Sequence, residues 1–125
     1  MSGEAKPSGA RRIVWNELEV DHPMPLLERR RMHGERMTVA RVVLRSGFRL
    51  DPHSHREEQI TIVLSGRIRF LVGEAGGRRE VIVGAGELIH LPPGVPHGAE
   101  ALEETVVLDL FSPPARETGI DRAGR

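Results

Sequence analysis

The chain has 125 residues, enough for one domain with its own apolar core, and it contains no cysteine, which excludes disulfides, thiolate metal sites and cysteine nucleophiles. Lys plus Arg and Asp plus Glu both total 18, so no net charge recruits nucleic acid or an anionic membrane, and no apolar run approaches the roughly 20 residues of a membrane span. The expectation is a cytoplasmic protein without nucleic-acid or membrane partners, with any metal ligands drawn from His, Asp, Glu and Gln.

Residues 1–10 are small, polar and broken by Pro and Gly, and read as a flexible N-terminus. Residues 11–32 are rich in apolar residues and arginine and lie before the main run of strands. Such an arm is expected to pair across a subunit boundary, making a homodimer. Within it, Arg29-Arg30-Arg31 precedes a turn at His33-Gly34, alternates poorly as a strand, and reads as a solvated or subunit-contacting edge.

Short runs of Val, Ile and Leu bounded by Gly and Pro then follow at 37–45, 59–64, 67–73, 79–83, 87–91 and 105–111. Their turns come too closely for crossover helices, so the pattern predicts an all-β fold, a double-sheet jelly roll or small barrel, over residues 11–112. Residues 113–125 lack apolar periodicity and read as a C-terminal tail.

Three features carry chemistry. His53 and His55 are two apart and Gln59 is four further on, so on a strand all three share one face. His97 follows the rigid Pro92-Pro93-Gly94 turn, which can aim an imidazole inward. In the run Thr105–Phe111, Val107, Asp109 and Phe111 share a face opposite to Val106, Leu108 and Leu110, and an acid buried in such a strand has to be ion-paired or functional.

These positions resemble the two motifs of the cupin family. Gly47, His53, His55, Gln59 and Gly66 match the first, with Gln where most members have Glu; Gly86, Pro92, Gly94 and His97 match the second, with Ala101 where Asn is usual. The resemblance covers about residues 37–111 and implies a jelly-roll barrel holding one divalent ion (Ni, Zn, Mn or Fe) through His53, His55, Gln59 and His97. A neutral amide in place of a carboxylate leaves the ion a stronger Lewis acid and a poorer stabiliser of high-valent iron. Tyrosine, which several cupin chemistries place near the metal, is absent.

The ending Asp109-Leu110-Phe111-Ser112-Pro113-Pro114 is similar to that of small cupins related to the pectin-degradation protein that linearises unsaturated uronic acids. That likeness implies a metal-dependent isomerase or lyase acting on a small anionic carbohydrate. Asp109 would transfer the proton, Phe111 would wall the pocket and Arg116, displaced by the interposed Ala115, would grip the carboxylate; Arg41 is an alternative anchor. Alternatives are a lyase similar to cupin hydroxynitrile lyases, which share the ligand set, an oxygenase, and a cupin that binds a small molecule without turning it over.

Overall fold

The computed structural model describes residues 9–117 together with Ile120 and Asp121, so most of the segment read as a flexible N-terminus, and part of the tail, lie outside the described residues. Among the described residues, ten strands follow a 3-10 turn at Trp15–Glu17: β1 (Val20–Asp21), β2 (Leu27–His33), β3 (Thr38–Leu44), β4 (Arg49–His53), β5 (Glu58–Ser65), β6 (Arg67–Val72), β7 (Arg79–Gly84), β8 (Leu88–Leu91), β9 (His97–Ala101) and β10 (Thr105–Ser112). They form two antiparallel sheets, one ordered β1-β2-β3-β10-β5-β8 and the other β4-β9-β6-β7. The fold is an all-β jelly roll, as the strand spacing predicts.

Alternation explains the core. In β3 and β10 every second residue is buried, and Val42, Leu44 and Val107, with Val63 of β5 in the same sheet, share one core cluster with Ile68 and Phe70 of β6 in the other sheet. The six runs visible in the sequence all fall on strands. The four strands it does not reveal, β1, β2, β4 and β9, are held by pairing with neighbours more than by composition. β4 carries Pro52 at the sheet's outer edge, where the missing N–H costs no ladder bond. β9 carries Gly98, whose absent Cβ would sit 2.8 Å from the Leu50 carbonyl oxygen of β4, so the two strands close together only over a glycine.

The reading of Arg29-Arg30-Arg31 as a solvated edge is corrected: these residues lie in the middle of β2, and each ties down a different part of the chain. Arg29 is 2 % exposed and makes paired hydrogen bonds to the carboxylates of both Asp21 and Asp121. Burial alone would lower its pKa, but the two acids outweigh that and raise it, so the guanidinium stays charged. Arg30 donates to the Leu18 carbonyl at 2.6 Å, and Arg31 to the Arg116 carbonyl at 2.9 Å. The described part of the tail is likewise docked: Ala115 is 1 % exposed and its N–H donates to Thr38 Oγ1.

Arg29→Met removes the cation and leaves two carboxylates facing each other. Because Asp21 keeps access to water, the expected loss is about 3 kcal/mol, the low end of the range for breaking a buried pair. A thermal melt should fall by roughly 10 °C. An unchanged melting temperature would show that the clamp is decorative.

Candidate functional site

His53, His55 and Gln59 do not share one strand, which corrects the parity argument. His53 ends β4 in the four-stranded sheet, His55 lies in the connection that follows, and Gln59 is on β5 in the six-stranded sheet. They converge because the chain crosses between the sheets there. His97 begins β9 directly opposite His53, and the Gly94 N–H donates to the His55 carbonyl at 2.9 Å, joining the two histidine-bearing loops. Gly94 adopts φ +80°, a left-handed turn conformation suited to glycine.

The imidazoles form a tight cluster, with ring centroids 4.5 Å apart for His53 and His97, 5.0 Å for His55 and His97 and 5.6 Å for His53 and His55. Their ligand atoms all lie within 4.8 Å of one another. Each Nδ1 meets a backbone carbonyl: Asp51 for His53 at 3.1 Å, Glu57 for His55 at 3.0 Å and Val95 for His97 at 3.0 Å. A carbonyl only accepts, so Nδ1 carries the proton and Nε2 the lone pair. Gln59 Oε1 lies 3.0 Å from His55 Nε2, setting two electron-rich atoms side by side. Two ligands bound at roughly 2.1 Å and at right angles around one ion are separated by roughly this distance. The donor set therefore fits a divalent cation, and no rearrangement of tautomers is needed to receive it.

Asp109 lies beside this cluster. Its Oδ1 accepts from Thr61 Oγ1 and, at 3.5 Å, from Gln59 Nε2. All its hydrogen bonds fall on Oδ1, and since no buried side-chain oxygen among the described residues lacks a partner, Oδ2 is open to the pocket that Asp109 lines. Burial pushes the carboxyl up to about 6, against the hydrogen bonds of Thr61 and Gln59 and the charge of Arg29. Burial likewise pushes His97 down to about 4; the Val95 carbonyl opposes this, and the charges of His53 and His55 add to it. His97 is therefore neutral at physiological pH, as a ligand must be.

The pocket below the cluster is walled by Val42, Leu44, Phe48, Leu50, Phe70 and Phe111, and the Phe111 ring stands edge-on to His55 at 5.8 Å. Neither proposed carboxylate anchor is among its lining residues. Arg41 sits between the inward-facing Ala40 and Val42 of β3, so strand alternation turns it to the opposite face. Arg116 is exposed, because Ala115 takes the inward position beside Thr38. Glu57 approaches His55 only on its Nδ1 side, and Glu58 pairs with His90 at 2.7 Å on the exposed surface. Thr61, buried between Gln59 and Asp109, is the site residue that sequence reasoning misses; its place two residues after Gln59 on a strand was the available signal.

The two shifted groups act on stability in opposite directions. Asp109 is raised from 3.8 to about 6, so the folded state binds the extra proton, and its contribution is full below 3.8 and lost as pH rises through 6. His97 is lowered from 6.5 to about 4, so its contribution is full above 6.5 and lost as pH falls through 4. In the metal-free protein the two offset each other between about 4 and 6. Asp109→Asn leaves His97 unopposed, so urea unfolding should show a steeper fall in stability on acidification across that window. Equal slopes for wild type and variant would remove Asp109 as a buried titrating group.

The cupin domain family profile matches residues 40–111 of this chain. Among solved structures, KdgF from Halomonas sp. is 28 % identical, with a TM-score of 0.69, covering 80 % of this chain and 92 % of that one. An RmlC-like cupin from Shewanella frigidimarina is 26 % identical at a TM-score of 0.69, covering 84 % and 91 %. The H2HPP isomerase of Bacillus subtilis is 35 % identical over 71 residues, 55 % of this chain. The match spans only 29 % of that curated relative's length.

Proposed function

The chain belongs to the cupin family, and on that premise we propose that it is a metal-dependent isomerase that linearises a 4,5-unsaturated uronate, with His53, His55, Gln59 and His97 as metal ligands and Asp109 as proton carrier. The observation that carries this reading is a buried carboxyl, Asp109, beside a set of donors whose lone pairs converge. The ending from Asp109 to Pro114 supports it, and the likeness to KdgF points the same way.

The chemistry is balanced without a co-reactant. Opening the cyclic hemiacetal moves the proton of the anomeric hydroxyl onto Asp109 as the C1–O5 ring bond breaks, leaving an aldehyde and the C5 enolate; return of that proton to C4 then gives the ketone. One group near neutrality can do both, and Asp109 Oδ2 faces the pocket where it is needed. Gln59 and the imidazoles would hold the ion that engages the oxygens of the substrate, while Phe111 and the apolar walls keep water from the enolate. A divalent ion held there supplies positive charge for the carboxylate, which no pocket-lining arginine offers among the described residues, and Lewis acidity for the enol oxygen.

A second reading is favoured by the apolar walls and by the isomerase-named relative: an isomerisation by proton transfer on a substrate with a less polar body. A panel of unsaturated uronates, enones and cyanohydrins, assayed with the metal-loaded protein, separates these readings from a hydroxynitrile-type lyase and from a non-catalytic binder. The expected outcome is loss of the uronate double bond's ultraviolet absorbance. Asp109→Asn should keep metal and fold while turnover drops by roughly 10²-fold or more. His53→Ala combined with His55→Ala should abolish metal binding, and full occupancy in that variant would remove the core of the reading.

Gln59→Glu should retain the metal but slow turnover, because an added carboxylate offsets the ion's charge. The proposal extends to a homodimer, supported by the apolar groove that Ile13, Trp15 and Leu18 form with Met32 and Val39 on the outer face of β2 and β3. Light scattering at micromolar concentration should give twice the chain mass, and a monomer would count against the arm as a subunit contact.

A further inference from the structure

β5 and β10 are neighbours in the six-stranded sheet, with Thr61 directly opposite Asp109 and Gln59 opposite Phe111. Thr61 is 1 % exposed, and its single hydroxyl meets both polar neighbours on that face, Gln59 Nε2 at 2.9 Å and Asp109 Oδ1 at 2.5 Å. A hydroxyl has one proton to give and lone pairs to accept with, whereas an ionised carboxylate only accepts. The proton therefore goes to Asp109, and a lone pair receives the Gln59 N–H.

That assignment fixes the amide. Turned by half a revolution, Gln59 would set its oxygen against the hydroxyl lone pairs and its N–H groups toward His55, where a donor would stand in place of the ligand oxygen. The same hydroxyl holds one oxygen of Asp109 and so fixes the rotation of the carboxylate, leaving its other oxygen toward the pocket. Packing alone does not call for threonine here: valine has nearly the same shape and occupies the next inward position, Val63.

We infer that Thr61 is a positioning residue of the site, orienting the Gln59 oxygen toward the histidine cluster and the free oxygen of Asp109 toward the pocket through one shared hydroxyl. It acts through these two residues and touches neither metal nor substrate. The inference rests on the metal-binding reading above, and the test separates the two.

Metal-free wild type, Thr61→Val, Thr61→Ser and Gln59→Ala are titrated with Co²⁺, read by calorimetry and by the visible absorption spectrum, which reports the ligand set. Thr61→Val should lose roughly 10- to 100-fold in affinity, the usual effect of removing a group that orients a ligand. Its spectrum should shift toward that of Gln59→Ala, and Thr61→Ser should restore both. Wild-type affinity and spectrum in Thr61→Val, with Gln59→Ala altered, would overturn this inference and leave the metal site standing. Absence of Co²⁺ binding by the wild type, or no effect of Gln59→Ala, would overturn the metal reading or the Gln59 assignment and this inference with it. Should Thr61→Val not fold by circular dichroism, Thr61→Ala takes its place: it must behave as Gln59→Ala does, and a wild-type response again overturns the inference.

Discussion

Three hydrogen bonds from imidazole Nδ1 to backbone carbonyls organise this protein's site. The acceptors are two positions away in sequence, Asp51, Glu57 and Val95, so each ring is fixed by its own stretch of backbone and not by a distant side chain. The tautomer follows from that contact, and with it the direction of every lone pair in the cluster. Pro52 stiffens the end of β4, Pro92, Pro93 and Pro96 stiffen the connection before β9, and the bond from Gly94 to the His55 carbonyl ties the two segments together. The jelly roll supplies the frame, since its two sheets bring β4 and β9 from one side to face β5 and β10 from the other.

Against this arrangement of neutral donors the pocket sets a single acid. Asp109 sits in the centre of the six-stranded sheet, among apolar residues that penalise its charge and two polar residues that accommodate it. The outcome is a carboxyl that burial pushes up to about 6, against the hydrogen bonds of Thr61 and Gln59. Hydrophobic walls serve stability and chemistry at once here: they build the core and also set the acidity of the group embedded in it.

Much of this was legible in the sequence because the cues were local. Alternation in Thr38–Leu44 and Thr105–Ser112 marks strands whatever surrounds them, and the spacing of His53, His55, Gln59 and His97 is written in the chain. What sequence could not show depends on partners far away. β2 reads as a charged edge until Asp21 and Asp121 are placed beside Arg29; Gly98 reads as a turn residue until β4 closes over it. Parity predicted the convergence of His53, His55 and Gln59 but assigned it to one strand, when the chain in fact changes sheets between them. The likeness to related endings placed Asp109 and Phe111 at the pocket, and it misplaced Arg116, because a single extra alanine turns the side chains that follow it outward.

The arginines of β2 tie distant parts of the chain to a single strand. Arg29 shares its guanidinium with a carboxylate 92 residues further along the chain, and Arg31 holds a carbonyl 85 residues away. With Asp21 on one side of the guanidinium and Asp121 on the other, that side of the sheet is a seam where three distant stretches of chain meet on one strand, and its charge is balanced only when all three are in place.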